Sequence, residues 1–85
     1  MKIFETTTRR YRDASRVTDE ALLHNIVWTA CIQPNNRDAL EAAYPVYRER
    51  RLALDAEAAR RGLTEAAAQR VADALHQMAE VAAAR

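Results

Sequence analysis

Gly62 is the only glycine in an 85-residue chain, and it lies between two long alanine-rich stretches whose apolar residues recur with helical spacing. A glycine adopts the left-handed backbone that ends a helix at no steric cost, and a chain with one glycine has one such place. The pattern predicts a helix, a stop at Gly62 and a second helix. The two are expected to run antiparallel as a hairpin with a connection of a few residues.

Beyond the turn, Thr64 is a candidate cap with Glu65 at the first helical position, and Leu63 is placed to fold back as a staple. Ala67, Val71, Ala74, Leu75, Met78 and Val81 then form a continuous apolar stripe. Before the turn, Leu40, Ala43, Tyr47, Leu54 and Ala58 share a face bordered by Arg50 and Arg61, and Asn36 is a candidate cap. Pro45 interrupts this segment. It lacks a backbone donor and clashes with the preceding turn, so a kink or break is expected near Tyr44. Arg51–Asp55 and Glu57–Arg61 are spaced i, i+4, each pair worth about 0.2–0.5 kcal/mol. An earlier helix is announced by Thr18 as N-cap, with Asp19 and Glu20 complementing its dipole. Leu22, Leu23, Ile26, Val27, Ala30 and Cys31 form its stripe, Trp28 and Ile32 widen it, and Pro34 and Asn35 end it.

The expected architecture is an all-α domain over 17–85, with three helices near 19–33, 37–61 and 64–83. Residues 1–16 read as a basic N-terminal arm, rich in Thr and aromatic residues and without a helical stripe. The arm is extended or holds one short strand. No second strand is visible, so such a strand would pair outside the chain.

Composition bounds the function. Hydrophobic residues at 49% and charged residues at 29% are too apolar a mixture for a disordered chain. Alanine supplies much of that apolar count and buries little area. The chain is only slightly longer than the ~70–80 residues below which one core rarely supplies more than about 3–5 kcal/mol. Docking on a partner or homodimer formation would help it. The net charge of +1 gives no global field toward nucleic acid or membrane. The arm differs: Lys2, Arg9, Arg10, Arg12 and Arg16 against Glu5 and Asp13 leave it at +3. Cys31, the one cysteine, cannot form an internal disulfide. There is no charged and then apolar leader, and Ile26–Ile32 is far shorter than the ~20 residues that cross a bilayer. A soluble cytoplasmic protein with no membrane partner is expected.

No catalytic, cofactor or metal site is expected. Ser15 and Cys31 are the chain's serine and cysteine, and neither has a histidine at a spacing that activates a nucleophile. His24 and Cys31 lie roughly 10 Å apart along one helix, too far to share an ion. Asp73, His76 and Glu80 share a face but chelate only in neighbouring pairs. Ala58, Gly62, Leu63, Ala68 and Val71 have the spacing of a helix-turn-helix, yet Arg61 stands where that turn is apolar, and Glu57 where it faces a core. The following helix opens Thr64-Glu65-Ala66-Ala67, with little to offer base edges or phosphates.

Binding remains. Arg9, Arg10, Tyr11 and Arg12 suit phosphates or an acidic protein, against the plain alternative of a solvated terminus. Tyr44, Val46, Tyr47, Arg48 and Leu52, around Pro45, suit a protein interface, against a second core face. The expectation is a non-enzymatic protein that binds another protein as an adaptor or inhibitor. Such small chains are common among phage and mobile-element regulators, including anti-defence inhibitors. The runner-up is a nucleic-acid-binding regulator using the arginine arm.

Overall fold

The computed structural model describes residues 1–5, 8–31 and 36–84. Ile32, Pro34 and Asn35, at the expected end of the first helix, lie outside the described residues. The described chain is mostly helical and begins with a small antiparallel sheet. Its elements are β1 (Lys2–Glu5), β2 (Arg10–Asp13), a 3₁₀ turn (Ala14–Arg16), α1 (Asp19–Cys31), α2 (Arg37–Ala43), α3 (Pro45–Arg60) and α4 (Thr64–Ala83).

α1 is the central element. Ala21, Leu22, Leu23, Ile26 and Ala30 are buried along it, together with Asn25 and Thr29. A helix buried on more than one side has neighbours on more than one side. Those neighbours are α3, α4 and β1. The N-cap at Thr18 is as expected, with its Oγ1 accepting the Ala21 N–H at 3.2 Å. A second acceptor comes from the sheet: Glu5 Oε2 takes the Thr18 N–H at 3.1 Å. That bond, with help from Arg12, holds the Glu5 carboxyl below its ordinary value despite the burial of its side chain. A carboxylate at a helix N-terminus also complements the dipole. Glu5 thus ties the hairpin to the start of α1.

The N-terminal segment corrects the sequence reading. It is a hairpin closed within the chain, with Lys2 opposite Asp13, Ile3 opposite Arg12, Phe4 opposite Tyr11 and Glu5 opposite Arg10. Ile3 is fully buried and belongs to the same core cluster as Val17, Leu22, Ile26 and Leu54. The strand partner thought to lie outside the chain is Arg10–Asp13. Three basic or acidic residues in its four positions concealed it from a search for apolar alternation.

The segment over 37–61, expected as one helix kinked or broken near Tyr44, is two helices, broken at Tyr44 (φ −131°, ψ 86°). Pro45 occupies the first turn of α3, where its missing N–H costs nothing. Asn36 stands at the N-cap of α2 without a side-chain capping bond. Arg51 pairs with Glu41 across the break at 2.6 and 3.3 Å, lowering the Glu41 pKa, instead of forming the expected bond to Asp55.

The stop at Gly62 is a Schellman motif. Leu63 N–H donates to the Ala58 carbonyl at 2.8 Å and Gly62 N–H to that of Ala59 at 3.1 Å. Gly62 has φ +72°, and a Cβ there would meet no atom within 4 Å. The cost of a side chain is therefore backbone strain alone. Gly62→Val is expected to lose about 1–2 kcal/mol, and Gly62→Asn clearly less, because Asn tolerates the left-handed region. Thermal melts of both variants check this, at about 4–8 °C per kcal/mol.

Arg61, just before the glycine, is a half-buried tie. Its side chain is 13% exposed. It donates to Glu57 at 2.8 Å, Asp19 at 2.9 Å and the Ala14 carbonyl at 3.0 Å. Arg60 and then Arg61 hold the Glu57 carboxyl down to about 2. The residue that spoils a helix-turn-helix pattern therefore joins the end of α3 to the start of α1.

Three further expectations are corrected. Thr64 opens α4 without capping it, and Leu63 stands at the N-cap. α4 packs chiefly on α1 and less on α3, its expected hairpin partner. The apolar stripes are not buried evenly: Leu54 and Ile26 are buried, Val71 and Leu75 are half-buried, and Met78 is exposed, as is Val81.

Candidate functional site: an aromatic and arginine face

The hairpin and α1 bring Phe4, Tyr11 and Trp28 together. Phe4 and Tyr11 lie directly across the strand pair, with ring centroids 5.3 Å apart and planes at 59°. Asn25, buried on α1, fixes this edge of the sheet. Its Nδ2 donates to the Phe4 carbonyl at 3.2 Å and to the Ala21 carbonyl at 2.8 Å. Its Oδ1 accepts from Arg50 of α3 at 2.8 Å. Arg50 Nε donates in turn to Thr29 Oγ1 at 3.2 Å. Two polar residues one turn apart on α1 thus hold one guanidinium. A buried amide left without partners costs about 1–3 kcal/mol, so this network fixes positions as well as contributing energy.

The held guanidinium lies over the Trp28 ring, 5.6 Å from its centroid. Phe4, Tyr11, His24, Asn25, Trp28 and Arg50 line a shallow depression of about 390 Å³. Tyr11 is 71% exposed, Trp28 53% and Phe4 39%. Among the described residues, Arg50 has no carboxylate within ion-pair distance. The result is a rigidly held, uncompensated cation beside exposed aromatic rings. Trp, Tyr and Arg are the residue types enriched at binding hot spots.

The residues singled out from the sequence do not form one site. Tyr11 belongs to the face just described. Arg12 reaches Glu5 at 3.5 Å, on the other side of the sheet, and Arg10 alternates to that side with it. Arg9 lies before β2 with φ 54°. Tyr44 and Tyr47 pack edge-to-face at 6.2 Å beside the break at Pro45. Val46 lies one turn before Arg50 on α3. Arg48 and Leu52 project from another side of that helix, since successive residues turn by about 100°. Phe4, Asn25, Trp28 and Arg50 were missed. Asn25 and Thr29, interrupting an apolar stripe at i, i+4, were the available signal: buried polar groups on a core helix require a partner.

A larger cleft of about 510 Å³ lies between α1, α3 and α4, with Ile26, Leu54, Val71, Leu75 and several alanines in its walls. Among its polar lining residues, Arg51 is bound to Glu41. His76 and Glu80 are bonded at 2.9 Å on the exposed side of α4. Among the described residues no three His, Cys, Asp or Glu side chains are grouped to hold a metal ion, and no helix is long and apolar enough to cross a membrane. Comparison of the chain with protein-family models, curated proteins and solved structures finds no match.

Proposed function

We propose that this protein is a non-enzymatic binding module, an adaptor or inhibitor that acts by occupying the surface of another protein. Its contact surface is the face formed by Phe4, Tyr11, Trp28 and Arg50. One observation carries the reading. Arg50 is locked by Asn25 and Thr29 at 2.8 and 3.2 Å against a half-exposed tryptophan, and no acidic partner among the described residues neutralises it. Preorganised arginine and aromatic side chains lose little freedom on binding, which leaves more of their contact energy as affinity.

Affinity capture from the source cell tests this, with nuclease treatment on half of each sample. Trp28→Ala and Arg50→Ala are the variants. Trp28 is exposed, so its removal should leave the melting temperature close to that of the parent. Both variants should lose a captured protein that survives nuclease, with affinity for that protein reduced by about 2 kcal/mol or more at a hot spot. Capture that disappears with nuclease would favour a nucleic-acid regulator. Capture indifferent to both substitutions would remove this face from consideration.

A further inference from the structure

The hairpin has one covered edge and one open edge, and the register shows which is which. Ala14 N–H donates to the Met1 carbonyl at 2.9 Å. Bonded and non-bonded pairs alternate along an antiparallel ladder. Ile3–Arg12 and Glu5–Arg10 are therefore the bonded pairs, and Phe4 and Tyr11 turn their main-chain groups outward. On the β1 side, α1 covers the edge and Asn25 takes the outward Phe4 carbonyl. On the β2 side, no described residue bonds the main-chain N–H or C=O of Tyr11, while the carbonyl of Asp13 beyond it caps the 3₁₀ turn. An edge of this kind is a template for another strand.

We propose that the open edge of β2 takes up an extended acidic polypeptide segment as a third strand, with side chains alternating acidic and apolar. This rests on the reading that the protein binds another protein, and it names the chemistry of that partner. The two faces of the hairpin set the alternation. Arg10 and Arg12 lie on one face with Ile3 and Glu5, and Tyr11 lies on the other with Phe4. The Glu5 carboxylate is already occupied by the Thr18 N–H and Arg12. Arg10 on that face, and Arg9 just before the strand, have no carboxylate partner among the described residues. The face beside the edge is therefore positive. An added strand has the same two-residue period. Its acidic side chains fall beside Arg10 and Arg12, and its apolar ones beside Tyr11 and the aromatic depression. A second copy of the chain does not fit, because β2 against β2 sets arginine against arginine. A nucleic acid supplies negative charge but no backbone matching the outward N–H and C=O groups.

The test uses the full chain and four probes. They are a capped eight-residue peptide of alternating Glu and Val, the same composition in two blocks, the alternating peptide with Lys for Glu, and a single-stranded oligonucleotide as DNA and as RNA. Amide shifts in NMR and the fluorescence of Trp28, the only tryptophan, report binding. The alternating acidic peptide should bind at least about tenfold tighter than the block and Lys peptides, a difference of about 1.4 kcal/mol. It should shift the Tyr11 and Asp13 amides and weaken as salt is added. Tyr11→Pro removes an outward N–H at an edge position, where proline is tolerated, and should weaken binding about tenfold or more. Tyr11→Ala keeps that N–H and should lose less. The Ile3 and Arg12 amide shifts report whether the hairpin stays paired. Arg10→Gln, which leaves the backbone untouched, should abolish the preference for Glu over Lys. Equal or absent binding of the three peptides, unshifted Tyr11 and Asp13 amides, or tighter binding of an oligonucleotide would overturn the proposal. If these fail while capture of a partner still depends on Trp28, the third strand alone is wrong. If capture is also indifferent to Trp28→Ala and Arg50→Ala, the binding face itself is wrong.

Discussion

Replacing Leu22 by alanine should lower stability by about 2–5 kcal/mol, the range for a leucine removed from a closed core. Leu22 is fully buried on α1 and belongs to the cluster that joins the hairpin, α3 and α4. Its surroundings are fixed from several sides, so the cavity cannot collapse. Leu75→Ala should cost only about 1 kcal/mol, because Leu75 is half-buried in the wall of the open cleft and much of its surface already meets water. Met78→Ala, at an exposed site, should fall within about 0.5 kcal/mol of the parent. Urea denaturation of the three variants checks the order, and unchanged slopes would show that the compactness of the two states is unaltered. Equal losses at Leu22 and Leu75 would mean that the α4 stripe, and not α1, carries the core.

That order differs from the one the sequence suggests, and the difference has a physical origin. The stripe on α4 is the most regular in the chain, since one side of this helix packs and the other is solvated. α1 is packed on several sides and buries Asn25 and Thr29 beside its apolar stripe, so the periodic signal is weak where burial is greatest. Amphipathic regularity marks a helix at the edge of a core, not the helix at its centre. Local signals were legible for a related reason. Thr18 caps through its own neighbours, Pro45 breaks a helix through its own ring, and Gly62 stops one through its own backbone freedom. Each acts within a few residues.

What was hidden depends on contacts distant in sequence. Arg61 and Glu57 read as a solvated i, i+4 pair, and nothing local indicates that Arg61 also reaches Asp19 and the Ala14 carbonyl. Arg50 and Trp28 are twenty-two positions apart, and only the packing of α3 on α1 brings them together. The second strand carried no alternation of apolar and polar residues, because all four residues of β2 are exposed and its role is to cover β1. A strand exposed in full lacks the half-buried pattern by which strands are recognised.

Ile3→Ala should cost about 2–5 kcal/mol, a loss that a solvated N-terminal arm would not show. Ile3 is fully buried and is the hairpin's large apolar residue in the core. Glu5 holds the next inward position by receiving the Thr18 N–H, and Asn25 grips the edge between them through the Phe4 carbonyl. The three contacts act on successive residues of one strand, so loss of the first should loosen the other two. Ile3→Val removes a single methyl(ene) group and should cost about 0.5–1.5 kcal/mol, which separates a graded packing effect from loss of the hairpin. Hydrogen exchange gives a second readout. In the parent, the ladder amides of Ile3 and Arg12 should exchange at close to the rate of the buried α1 amides, because the hairpin and helix open together. In Ile3→Ala they should exchange faster than α1, as the hairpin detaches first. Partner capture should decline in step, since Phe4 and Tyr11 reach Trp28 only while the hairpin is docked. A melting temperature and exchange pattern unchanged by Ile3→Ala would show that the helices fold without the hairpin. The binding face would then have to form from α1 and α3 alone.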